Sequence, residues 1–343
     1  MTWIPLLLTD PSPSLRILVL KNFLNKPESN EEVQELREIQ SKDPIIEKIL
    51  NLQFKDGSWN ENILGVNAPG GNLQVTSQQL TRLAFLEYPT EKEVVKKAVD
   101  FIFSYQNDDG SWPLPKKKEK GELKGYDMQP LQTIIPLEGI AAAGYATDKR
   151  AEKAYDWILN QKLDDGSWPV GLSSGVYGKI AGYRSIAHSR WGCRSTTIGA
   201  LNCLSYHPSR SHSEETKRAL DLILSCESTR EGNLGFVVSR TLGFEPSRGW
   251  ITYYPRLDPA HILKLCVKIG VSFEDKRVQE LVDFIKTLKG ENGLWECRLH
   301  PQANRWLTYD LLQSLKEIKS ESDWISHEPS TPFQEYSRKL KRF

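Results

Sequence analysis

Two short stretches of this chain gather most of the residue types able to do chemistry. Ala187-His-Ser-Arg-Trp-Gly-Cys-Arg194 and Tyr253-Tyr-Pro-Arg-Leu-Asp-Pro-Ala-His261 supply His188, Cys193, Tyr254, Asp258 and His261, with Arg184, Arg190, Arg194 and Arg256 around them. His, Cys and Asp are donors for a tetrahedral zinc site, although this spacing matches no named zinc motif. Zinc is therefore a minor option, and no other cofactor is implied. Arginines at a cavity mouth would hold a diphosphate or carboxylate by bidentate bonds. Trp191, Trp250, Tyr253 and Trp306 flank these charges with π faces that can steady a cation. Gln74 and Gln129 add neutral polar groups at two helix starts. Plainer roles compete for the same residues. Asp258-Pro259 has the pattern of an N-cap followed by proline at the first helical position, a lone Cys packs more often than it reacts, and aromatics usually fill a core.

What positions these residues is a repeat. Gln53-Phe-Lys-Asp-Gly-Ser-Trp59, Gln106-Asn-Asp-Asp-Gly-Ser-Trp112 and Gln161-Lys-Leu-Asp-Asp-Gly-Ser-Trp168 place their glycines at 57, 110 and 166. A degenerate copy, Glu231-Gly-Asn-Leu-Gly-Phe236, and Glu291-Asn-Gly-Leu-Trp295 complete five. Such a period means one supersecondary unit stacked repeatedly, so the chain reads as one body. Between the turns lie pairs of segments with helical spacing, such as Val94, Val95, Ala98, Phe101, Ile102 and Tyr105. One member of each pair is charge-rich and begins near an apparent capping box, as at Ser29…Glu32, Thr90…Glu93 and Ser211…Glu214. The other is charge-poor and rich in small residues, as an inner helix would be. Six inner helices are expected, at about 14–24, 74–87, 129–145, 195–206, 259–270 and 304–318. Residues 1–318 then form a single domain, with a helical leader over 1–50 making the first hairpin and a tail over 319–343. Trp59, Trp112, Trp168 and Trp295 should occupy equivalent places between hairpins.

Composition narrows the function. Lys and Arg total 45 against 44 Asp and Glu, which leaves no net charge for nucleic acid, and the Lys116–Lys118 and Arg338–Arg342 runs read as solvated charge. Five cysteines without a CxxC pair argue against a disulfide framework and for a reducing compartment. The apolar run at Trp3–Leu8 is too short for a secretory signal or a membrane span. A cytoplasmic protein is expected.

The Gln…Asp-Gly-Ser-Trp turn resembles the QW motif of squalene-hopene cyclases and related terpene cyclases, whose relatives include protein prenyltransferase β subunits. The resemblance covers about residues 45–318, and the chain is also similar to prokaryotic proteins loosely labelled prenyltransferase-like. It implies an all-α (α/α)6 toroid whose inner helices line a cavity for an apolar, isoprenoid-like molecule. Parallel inner helices would gather their N-termini on one rim, favouring an anionic group there. The long loops entering the fourth and fifth inner helices would bring His188, Arg190, Cys193, Tyr254, Asp258 and His261 to that mouth.

The chain departs from the catalytic patterns of these relatives. It has no DxDD acid, no DDxxD helix and no Asp-x-Cys zinc pair, and Asp108-Asp109 and Asp164-Asp165 belong to turns. Asp127, Glu138 and Asp258 are the remaining cavity-side carboxylates, none with an evident partner that would make it a strong acid. The reading is a cyclase-like toroid binding an isoprenoid-like ligand, with catalysis open. Its rivals are a non-catalytic toroid binding a protein or peptide, and a lyase or hydrolase on the same ring.

Overall fold

The computed structural model describes residues 3–60, 71–112, 126–127, 129–170, 172–173, 186, 189–245 and 256–318. The helices are α1 (Ile4–Leu8), α2 (Pro13–Asn22), α3 (Glu31–Ile39), α4 (Pro44–Asn51), α5 (Gly71–Phe85), α6 (Glu93–Phe103) and α7 (Gln129–Ile140). After them come α8 (Lys149–Asn160), α9 (Arg194–Tyr206), α10 (Glu214–Leu224), α11 (Phe236–Thr241), α12 (Pro259–Ile269), α13 (Lys276–Thr287) and α14 (Asn304–Glu317). The only strands among the described residues are β1 (Tyr126–Asp127) and β2 (Leu172–Ser173), which pair antiparallel. The protein is all-α. None of the described helices is long and apolar enough to cross a membrane.

Charge-poor helices pack on one another in sequence: α5 on α7, α7 on α9, α9 on α12, α12 on α14, and α14 on α2. Each carries a charge-rich partner on its outside, α6 on α5, α8 on α7, α10 on α9 and α13 on α12. A side chain at Gly139 would run into the Ser77 backbone, with a Cβ 2.6 Å from its carbonyl oxygen, so α5 and α7 approach there as only glycine allows. The tail expected over 319–343 lies outside the described residues; α1 packs on both α14 and α2. Between α2 and α5 the leader bridges by hydrogen bonds. The Gln40 amide donates to the Leu86 carbonyl (2.9 Å) and to Ser14 Oγ (3.1 Å), and Arg37 donates to the Glu87 carbonyl (2.7 Å).

The turns explain why the motif recurs. In each good copy the aspartate accepts from the serine two residues on, through both N–H and hydroxyl, at Asp56, Asp109 and Asp165. The glycine between them has φ near +90°, at 91°, 93° and 94°. The tryptophan that follows is buried and doubly bonded. Its indole donates to the carbonyl ten residues upstream: Trp59 to Ile49, Trp112 to Ile102, Trp168 to Ile158 and Trp295 to Ile285, at 2.6–2.9 Å. Its backbone N–H donates to a threonine hydroxyl of the next inner helix, Thr76, Thr133, Thr197 or Thr308. The four tryptophans are thus equivalent, as the repeat demands. Gln53 and Gln106 each donate to the turn glycine's carbonyl and to a carbonyl of the next outer helix. Gln161 differs: it is the C-cap of α8, and the extra residue puts Lys162 at the glutamine's place.

The three capping boxes are displaced. The N-caps of α3, α6 and α10 are Asn30, Lys92 and Ser213, and only Ser213 caps through its side chain, accepting from Thr216 N–H. Each helix starts near the expected place, but one or two residues later than the hydroxyl suggests. At α10 the capping hydroxyl is Ser213, two residues after the expected Ser211.

Trp112→Ala should destabilise the protein by about 3–5 kcal/mol, because it empties a large buried site and removes the indole bond to the Ile102 carbonyl. Thr133→Val should cost about 1–3 kcal/mol by leaving the Trp112 N–H unpaired. Urea denaturation of both variants measures this, and a Trp112→Ala cost below about 1 kcal/mol would contradict the bracing role.

Candidate active site

The cavity lies deeper in the ring than the sequence suggested. It is about 60 Å³, or about 570 Å³ of empty space once its open mouth is counted. Its wall is built from helix faces. On α12, His261, Lys264, Leu265 and Lys268 follow one another at three- and four-residue steps, so they share one stripe. Thr81 and Phe85 do the same on α5, and Asn202 and Tyr206 on α9, while α7 adds Glu138 and α14 adds Asp310. The short helix α11 closes one side with Val237, Val238 and Thr241. Arg82 of α5 holds it there by donating to the Thr241 and Arg240 carbonyls.

Most of these positions lie in the later turns of α5, α7, α9 and α12 rather than at the N-terminal rim. A helix C-terminus favours cations, and two lysines are what the cavity holds. Lys264 donates to Asp310 at 2.5 Å. The Lys268 ammonium stands 3.7 Å from the centre of the Tyr206 ring. Burial, then the charge of Lys264, pushes Lys268 down to about 7. Burial likewise pushes His261 down to about 3, with Lys264, Arg240 and Lys268 acting in the same direction, so this imidazole is neutral at ordinary pH. Glu138 accepts from the Asn202 amide at 3.2 Å. It therefore has a partner, contrary to the expectation that it stands alone in its helix.

Among the described residues singled out by sequence, His261 and Glu138 line this cavity. Asp258 is an N-cap for two helices. Its carboxylate accepts from Ala260 N–H at the start of α12 and from Gly235 and Val237 N–H at the start of α11. Burial pushes its carboxyl up to about 6 against these donors, but with three amides on it the group is structural. Cys193 is the buried N-cap of α9, packed on Val170. Arg190 is exposed and lies against Trp191, while Arg256 lies 4.7 Å from the Phe236 ring. Arg194 and Gln74 begin α9 and α5 without reaching the cavity, and Trp306 stacks behind Phe85 at 5.3 Å. No group of three metal-binding side chains occurs among the described residues. Arg184, His188, Trp250, Tyr253 and Tyr254, and the side chains of Gln129 and Asp127, lie outside the described set.

Sequence reasoning missed Lys264, Lys268, Tyr206 and Asp310. The available signal was two lysines on an otherwise charge-poor inner helix, in register with His261.

The fold and its tryptophan turns define an α-α toroid of the squalene-cyclase-repeat type. A family model described as the squalene-hopene cyclase C-terminal domain matches residues 28–177. Squalene–hopene cyclase of Zymomonas mobilis is 29% identical over 133 residues, covering 38% of this chain and 20% of that protein. Lanosterol synthase of Pneumocystis carinii is 24% identical over 215 residues, covering 52% of this chain and 27% of that protein. The match thus spans between a fifth and just over a quarter of these relatives. Among solved structures, a type II terpene cyclase from Scytonema in complex with geranylgeranyl dihydroxybenzoate aligns with a TM-score of 0.46 and 18% identity, covering 79% of this chain and 70% of that one. Over these segments the chain is similar to proteins of the terpene-cyclase-like toroid type.

Lys268 has a measurable consequence for stability. Its proton is held less tightly in the fold than in the unfolded chain, where lysine titrates near 10.4. From about pH 7 up to that value the unfolded state binds more protons, so this group's contribution makes stability rise with pH. Its cost is fully present below about pH 7. Lys268→Met should therefore raise the melting temperature at pH 6, and the gain should shrink by pH 9.5. Calorimetry at the two pH values checks this; a gain independent of pH would mean that the charge is not penalised.

Proposed function

We propose that the central cavity binds a small isoprenoid-like molecule, its polar end among Lys264, Lys268, Glu138 and Asp310 and its apolar body toward Phe85, Val237, Val238 and Leu265. The single observation behind this reading is that one cavity joins an aromatic and aliphatic wall to two lysines. Binding pockets combine these features, a mostly apolar lining with a few convergent polar groups that fix orientation. The isoprenoid class is taken from the superfamily. The small volume favours a short chain, or a longer one whose end projects through the mouth.

Catalysis of the alkene-protonating kind is not part of the proposal. It needs an acid whose proton is released inside an apolar, water-poor cavity. Asp258 is occupied by three amides, and Glu138 shares its space with two lysines. Purified protein should therefore give no cyclic product from squalene or from a linear isoprenyl diphosphate. A cyclic product that disappears on Asp127→Asn would show that an acid had been overlooked.

Mass spectrometry of organic extracts from the purified chain tests the binding itself. The expected result is a near-stoichiometric terpenoid with a polar terminus, lost in Val237→Trp, which narrows the cavity. Extracts that carry no such compound, with equal thermal stability in the presence and absence of short terpenoids, would overturn the reading.

A further inference from the structure

Lys264 and Lys268 sit one turn apart on the same stripe of α12, yet they are held differently. Lys264 is engaged by Asp310. Lys268 has no hydrogen bond or ion pair among the described residues; its contact is the face of Tyr206. It opens on the cavity beside His261, Glu138 and Asn202. We propose that Lys268 is a reactive amine, which condenses with an aldehyde or ketone carbon entering the cavity and holds it as an imine.

The physical case starts from the neighbours. An amine is nucleophilic only when deprotonated, and the known ways to deprotonate a lysine at neutral pH are desolvation and a second cation beside it. Both operate here. Burial is the larger cause and Lys264 the next, together bringing Lys268 down to about 7. The opposing groups are the carboxylates of Asp310 and Glu317 on α14 and of Glu138 on α7, with the Tyr206 ring on α9. His261 on the same stripe is neutral and adds no charge, and Arg240 on α11 adds positive charge to the region. Asp310 is committed to Lys264, which keeps that neighbour a cation rather than a second free amine.

The step balances without any further reactant. The Nζ lone pair attacks the carbonyl carbon, the C–N bond forms, and the carbonyl π pair moves to oxygen. That oxygen takes a proton from nitrogen to give a carbinolamine. Loss of the hydroxyl, with the remaining nitrogen proton, releases water and leaves C=N. Glu138 and Asp310 stand in the same space to relay these protons. The cavity has room for the carbonyl end, and an attached chain would lie toward Val237 and Val238. That the chain is isoprenoid rests on the binding role proposed above; the reactivity of the amine does not.

Reductive trapping separates the two ideas. The full chain is treated with acetaldehyde, or with citral as an isoprenoid aldehyde, in the presence of cyanoborohydride, and labelled lysines are mapped by peptide mass spectrometry. With acetaldehyde at pH 7, Lys268 should be labelled roughly tenfold or more faster than exposed Lys96, because an ordinary lysine is almost wholly protonated there. The rate at Lys268 should rise through about pH 7, well below the rise at Lys96. Lys268→Met, which should not lower the melting temperature, should remove this fast site. Labelling of Lys268 no faster than Lys96 would overturn the inference. Labelling by acetaldehyde but not citral would keep the amine and discard the isoprenoid body; labelling by both supports both.

Discussion

The bond between each motif indole and the carbonyl ten residues before it is the contact on which this ring depends. It ties the tryptophan to the end of one outer helix while the same residue's backbone N–H takes the threonine of the next inner helix. One side chain therefore satisfies two buried polar groups and fills the gap between hairpins, in a region where an unpaired group is costly. It also fixes height. Thr81, Glu138 and Asn202 each lie five residues after a bonded threonine, at Thr76, Thr133 and Thr197, and all three line the cavity. Phe85 and Tyr206 follow at nine residues on α5 and α9. The cavity is a layer at constant depth because the pegs hold the inner helices in register.

Where the pattern lapses, the site gains its character. The fourth turn has no tryptophan. Phe236 follows its glycine, and the chain continues into α11 rather than directly into an inner helix. Asp258 supplies the missing order by capping α11 and α12 at once. Among the five inner helices that follow a turn, that leaves α12 without a tryptophan peg at its start, and it is the helix that presents His261, Lys264 and Lys268 to the cavity. The departure from the repeat and the concentration of charge thus belong to one stretch of chain.

This also separates what was legible in the sequence from what was not. The inner helices were readable because the turn motif recurs at a fixed period and because Thr133–Tyr145 and its counterparts are poor in charge. Asp258 was readable as a cap through Pro259. The cavity was not, because attention to loops and helix starts follows one general rule of anion binding, whereas this wall is made of side chains two and three turns further on. Their geometry depends on which face of each helix turns inward, and that is set by the pegs, which a linear reading locates but cannot orient. What turns Lys264 and Lys268 inward is the packing of α12 among α9, α13 and α14.

The charges in the cavity invite a last step. A buried ion pair such as Lys264–Asp310 stabilises little compared with well-packed apolar groups of the same size, since desolvation offsets most of the attraction. A lysine facing only a π ring is worse placed still. The ring needs neither, because its register is set at the other end of the inner helices, by tryptophan and threonine on α5, α7, α9 and α14 and by Asp258 on α12. A toroid selected for stability alone would place leucine or methionine at these positions, as it does at the neighbouring Leu263 and Leu265. The lysine stripe of α12 is therefore better explained by what enters the cavity than by what holds the ring together.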